Sequence, residues 1–141
     1  VFLDGKLIAR AAPGKAINLD TTKMLDGHHE LRIVGIDIGP IETQGRVIVP
    51  FTVNNYGAKL EVNVAPAAIV DFAAVLRVSV RQSGATAITI RQNSRELASV
   101  KGEAGDAEIA AATLGRGPTT LQAISEGPHP AISAPVRISV R

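Results

Sequence analysis

The sequence contains no cysteine and no tryptophan, and aromatic residues make up only 3% of its 141 positions. Without cysteine there can be no disulfide and no thiolate metal centre. With so few rings, a core must be built from Val, Ile, Leu and Ala, which dominate the 45% of residues that are hydrophobic. Charge of one sign is scarce too. Fifteen basic residues face thirteen acidic ones, a net charge of +2 at pH 7. That balance leaves no nucleic-acid footprint. No apolar run approaches the roughly 20 residues of a membrane-spanning helix. No secretory signal pattern is seen. The chain opens on Val1 rather than Met, and is expected to be a fragment or a processed product.

What is present is punctuation. Thirteen glycines and eight prolines separate short apolar runs, a pattern that suits many strands joined by turns. Residues 1–9 read as a hairpin about Asp4-Gly5, because Gly accepts the positive φ that two-residue turns need. Residues 11–15 form a Pro-Gly loop, and 16–20 a short strand with Ile17 and Leu19 on one side. The organising stretch is 25–37. An Asp26-Gly27 turn is expected to open it, followed by a strand with His29, Leu31, Ile33 and Gly35 on one face. A loop over 38–45 leads to a strand at 46–53, where Val47, Val49, Phe51 and Val53 should point inward.

Residues 54–57, Asn-Asn-Tyr-Gly, form the best boundary. Beyond it, Leu60, Val62 and Val64 alternate with polar residues, as do Leu76, Val78 and Val80. Residues 65–74 read as a connection with a short strand or one helical turn. Ile88 and Ile90 mark another strand, and 96–100 the next. The Ala-rich stretch 106–113 could be helical on propensity, but is assigned to a strand on the internal repeat. Strands at 119–125 and 136–140 complete the set.

The repeat sets residues 1–3 beside 88–90, 27–35 beside 117–125, and 49–53 beside 136–140, at offsets of 87, 90 and 87. Order is kept with small loop changes, which predicts two copies of one β unit. The second copy also owns the strands at 60–64 and 76–80, and the first has no counterpart to them.

Three stretches carry a resemblance. They are Val-Phe-Leu-Asp-Gly-Lys-Leu-Ile-Ala at 1–9, Ile-Asn-Leu-Asp-Thr-Thr at 17–22, and Leu-Asp-Gly-His-His-Glu-Leu from 25 on to Asp37. Together they resemble the bacterial immunoglobulin-like domains over residues 1 to 53. The second copy follows the same order but has Thr119 in the place of His29 and Gly127 in that of Asp37. The resemblance implies an all-β fold of two tandem immunoglobulin-like β-sandwiches, 1–55 and 56–141, the first lacking its opening strands. It also implies a bacterial protein that is exported or displayed at the cell surface.

Candidate site residues are few. His28 and His29 are adjacent, so on a strand they face opposite ways and cannot share a metal. His29 is expected to play a structural part, and His129 lies in the other copy. Asp4, Asp20, Asp26 and Asp37 could offer oxygen ligands to calcium, yet most sit at turns where Asp bonds its own backbone. Arg77, Arg81 and Arg91, with Arg95 and Arg137, could form a basic stripe, but no rings interleave for stacking. The expectation is therefore a non-catalytic chain with no catalytic, cofactor or metal residues and no cofactor. It would serve as a structural spacer or interaction module of a larger exported protein. The alternative is an accessory, glycan-binding region of a secreted enzyme whose catalytic domain lies upstream. Expected partners are an upstream segment or neighbouring chain that completes the first domain, and a glycan or surface protein, with no nucleic acid and no transmembrane segment. In the incomplete copy, Leu3, Ile17, Leu31 and Ile33 should lack part of their cover.

Overall fold

The computed structural model describes residues 1–37, 39–41 and 43–141, so Ile38 and Glu42 of the expected 38–45 loop lie outside the described residues. The chain is all-β, with one 3₁₀ turn and no α-helix among the described residues. It divides into two compact units. The first comprises 1–24 and 28–53, and the second 25–27 and 54–141. No described helix is long and apolar enough to cross a membrane.

The first unit is one sheet and a loop. β1 (Phe2–Leu3) and β2 (Lys6–Leu7) form the hairpin, with Leu3 opposite Lys6. β1 also pairs antiparallel with β3 (Asp26–Ile36), and β4 (Gln44–Val53) pairs with β3. Two expectations fail here. Asp26 and Gly27 are the first residues of β3 rather than a turn. The strand at 16–20 does not form, and no described strand offers it backbone hydrogen bonds. Burial in β3 and β4 is also weaker than the alternation promises. Of Val47, Val49, Phe51 and Val53 only Val53 is buried, and Val47 and Val49 are exposed.

The second unit has two layers. One sheet has the order β10 (Ala104–Ala110), β7 (Val75–Arg81), β5 (Glu61–Ala65), all antiparallel. In the other, β8 (Ala87–Gln92) pairs with β9 (Arg95–Lys101) and β11 (Gly117–Glu126), and β11 with β13 (Val136–Val140). Two-residue strands finish it. β6 (Ile69–Val70) runs parallel to β13, and β12 (Ala131–Ile132) pairs with β11 and, in parallel, with Asp26 and Gly27. Alternation explains the core. Leu76, Val78 and Val80 from β7 join Ile88, Ile90, Leu121, Ile138 and Val140 in one buried cluster. Across the short β12, hydroxyls supplement the ladder. Ser125 Oγ accepts the Ala131 N–H at 2.8 Å, and Ser133 Oγ accepts that of Ala123 at 2.9 Å. The Ala-rich stretch is strand as far as Ala110 and then a 3₁₀ turn at Ala111–Leu114, so the strand assignment overshoots by three residues.

The pairing of β1 with β2 and β3 has the same order as that of β8 with β9 and β11, shifted in one register. Asp4-Gly5 turns the first hairpin, and Asn93-Ser94 turns the second, between the paired Gln92 and Arg95. The hairpin offset is therefore 89 rather than 87, with Leu3 matching Gln92. Leu3 pairs with Leu31 and Gln92 with Leu121, so the 90-residue offset of the next strand stands. A slip of two preserves which face each side chain takes, which is why the pattern alone did not expose it.

Equivalent positions now differ in cover. Leu121 is fully buried, while Leu31, ninety residues earlier, is half-buried and Ile33 is 41% exposed. Leu121→Ala should cost the second unit about 2–5 kcal/mol, and Ile33→Ala should cost the first about 1 kcal/mol or less. Urea unfolding of each variant, followed by amide exchange within each unit, checks this. Equal losses would mean that the face around Ile33 is covered in solution.

Candidate functional site

The hairpin turn aims a carboxylate at β3. Asp4 has φ of 47° and Gly5 of 83°, left-handed values that Asp tolerates and Gly adopts freely. Asp4 Oδ2 lies 2.7 Å from His29 Nδ1, and Oδ1 accepts the Glu30 N–H at 2.9 Å. An ionised carboxylate only accepts, so Nδ1 carries the hydrogen. His29 is 4% exposed and stacks on Phe51 with centroids 5.6 Å apart. The histidine is thus a pin between hairpin, β3 and β4. His28 is half-buried on the other face.

Asp26 is the other anchor, and it serves the second unit. It is 1% exposed. Its carboxylate accepts the backbone N–H groups of Asn55 at 2.6 Å, Tyr56 at 2.9 Å and Ala58 at 2.8 Å. Burial alone would raise its pKa. The N–H groups of Asn55, Ala58, Tyr56 and Gly57 outweigh that and hold the carboxyl below the ordinary value. Gly27 beside it is obligatory. Its φ is 110°, and a Cβ there would stand 1.9 Å from the Ile132 carbonyl oxygen. Sequence reasoning missed this clasp. The one signal was an Asp-Gly pair, which reads as a turn.

The four aspartates are not brought together. Asp20 accepts the Thr22 hydroxyl at 2.6 Å and the Thr22 N–H at 3.0 Å, and these lower its pKa. The Asp37 N–H donates to the Thr43 carbonyl at 2.9 Å. Among the described residues no three His, Asp or Glu side chains gather as a metal site. His129 stacks instead on the exposed Tyr56, centroids 4.7 Å apart. Its carbonyl accepts from the buried Gln82 Nε2 at 2.8 Å.

The arginine stripe is also corrected. β7 and β8 are not neighbours. Arg77 and Arg81 sit on the three-stranded sheet, and Arg91, Arg95 and Arg137 on the other. Arg77 pairs with Asp106 at 2.7 Å. The Ser79 hydroxyl above all, with Arg77 adding to it, holds the Asp106 carboxyl below its usual range against the opposing effect of burial. The Arg95 guanidinium donates to the Thr113 carbonyl. The chain reversal between β7 and β8 switches sheets, and sequence spacing cannot report that.

The remaining candidate is apolar. In the first unit, the loop after β2 and the sheet enclose an open depression of about 1330 Å³, lined among others by Ile8, Ile17, Leu19, Leu31 and Ile33. Ile17, Ile33, Val47 and Val49 are exposed, and Leu3 and Leu31 half-buried.

No protein-family model and no curated protein matches the chain. Among solved structures, the sulfur carrier protein SoxY from Chlorobium limicola f thiosulfatophilum matches at a TM-score of 0.41 and 17% identity, over 58% of this chain and 78% of that one. A likeness that slight carries no argument here.

Two outcomes follow from the carboxylates. A lowered folded pKa means that Asp26 stabilises fully above the ordinary carboxylate range, and that this is lost as pH falls through the folded value. Asp26→Asn should therefore cost about 1.5–3 kcal/mol at pH 7, with the gap to the natural protein closing below about pH 4. Urea titrations at the two pH values read it, and a gap that widens in acid would refute the assignment. Asp4→Ala should speed exchange of the Glu30 amide while leaving the second unit unchanged.

Proposed function

We propose that this chain is a non-catalytic spacer or interaction module of a larger exported bacterial protein, made of two immunoglobulin-like units, the first completed by β-structure from outside these residues. The observation that carries the reading is the strand order of the second unit. In an immunoglobulin sandwich the first, second and fifth strands share one sheet, and the third, sixth and seventh share the other. Leaving aside the two-residue β6 and β12 and treating β9 as the strand after the third, β5, β7 and β10 hold the first set of places, and β8, β11 and β13 the second. That arrangement supports an immunoglobulin-like unit and, through the repeat, a second such unit at 1–55.

The function follows from what such a unit offers. Its polar side chains are spent on holding turns: Asp4 on His29, Asp20 on Thr22, Asp26 on the 55–58 linker. A rigid body with tethered ends transmits position rather than chemistry. The apolar face of the first unit is where the upstream part of the protein, or a neighbouring chain, would join. The alternative, an accessory glycan-binding region of a secreted enzyme, has one observation in its favour. Tyr56 is exposed and already stacked on His129, and exposed rings are what sugars pack on.

A hydrolase panel covering esters, glycosides, phosphates and peptides, run beside a glycan array, tests both readings. The spacer reading expects neither turnover nor glycan binding. Turnover abolished by His29→Ala would make the chain an enzyme. Glycan binding abolished by Tyr56→Ala would establish the alternative.

A further inference from the structure

The expected strand that fails to form is the key to the open face. Ile17 and Leu19 stand ninety residues before Ala107 and Ile109 of β10. Both stretches run into a tight turn, with the Met24 N–H on the Thr21 carbonyl in one and the Gly115 N–H on the Ala112 carbonyl in the other. β10 is an edge strand whose ladder is entirely with β7. In the first unit no described strand stands where β7 stands in the second. Residues 16–19 accordingly lie outside any strand, with no backbone hydrogen bond among the described residues. Ile17 and Leu19 line the depression together with Leu31 and Ile33.

Resting on the reading of the first unit as an incomplete immunoglobulin-like sandwich, we infer that this depression receives one extended strand of alternating apolar and polar residues, supplied by a polypeptide segment outside this chain. It lies antiparallel along 15–20, as β7 lies along β10. There Leu76 is opposite Ile109 and Val78 opposite Ala107, so apolar residues of the incoming strand stand opposite Leu19 and Ile17. Its backbone supplies the missing ladder, and its side chains cover Leu31 and Ile33. This is recognition by strand addition, in which main-chain bonds give affinity and alternate pockets give specificity. A second copy of this chain is a poor donor from its second unit, because the alternating strands there, β5 and β7, already have Val64, Leu76, Val78 and Val80 buried in their own core.

The test adds synthetic peptides to the 141-residue protein and follows amide hydrogen exchange. One peptide copies residues 74–82, Ala-Val-Leu-Arg-Val-Ser-Val-Arg-Gln, the strand that covers the second unit. The other has the same composition with the alternation broken. The alternating peptide should slow exchange at Ile17 and Leu19 by about tenfold or more, and Ile17→Asp should abolish the effect while leaving exchange in the second unit unchanged. Three results would overturn the inference: no protection at about 1 mM peptide, equal protection by the broken peptide, or protection that grows with protein concentration alone, which would make a second copy the occupant. None of these bears on the spacer reading, which turnover and glycan binding decide.

Discussion

Leu76, Val78 and Val80 on one sheet meet Ile88, Ile90, Leu121 and Ile138 on the other, and the second unit depends on that meeting. With almost no aromatic rings, each side chain brings little area, so the core must be continuous. At about 25 cal/mol per Å² of apolar surface removed from water, a sheet face of Val, Ile and Leu is stabilising only when something apolar lies on it. The three-stranded sheet β5-β7-β10 is that cover. The first unit carries a sheet without it among the described residues, and Ile17, Ile33, Val47 and Val49 remain exposed.

The strands most legible in the sequence were those with a partner on both sides. β7 lies between β5 and β10, and every second residue of it is buried. β8, between β9 and β11, is buried on both faces at its centre, at Ile88, Thr89 and Ile90. Residues 16–20 have the same alternation and form nothing, because alternation states which face would be buried and not whether a ladder exists. β4 shows the same limit. It keeps its pairing with β3 but leaves Val47 and Val49 exposed, since no described residue buries them.

The polar residues were harder to place. His29 was read as structural, and its hydrogen bond to Asp4 and its stacking on Phe51 give that reading its geometry. From the sequence Asp26 reads as a turn residue, whereas its three N–H donors come from a segment about thirty residues later. Contacts of that separation leave no trace in local pattern. The arginines failed for a related reason. Outward phase is a property of one strand, whereas a stripe is a property of a sheet, and β7 and β8 belong to different sheets.

Residues 25–27 lie in the first half of the chain yet pack within the second unit, through the Asp26 carboxylate and the parallel pairing with Ala131 and Ile132. The chain therefore passes from one unit to the other three times, not once. A cut between Val53 and Asn54 would therefore not separate the chain along the boundary of the units. In the nicked chain residues 25–27 would keep their own bonds within the second unit, the Asp26 carboxylate on the 55–58 backbone and the pairing with Ala131 and Ile132. Acid, by protonating Asp26, would loosen the hold that neutral pH maintains.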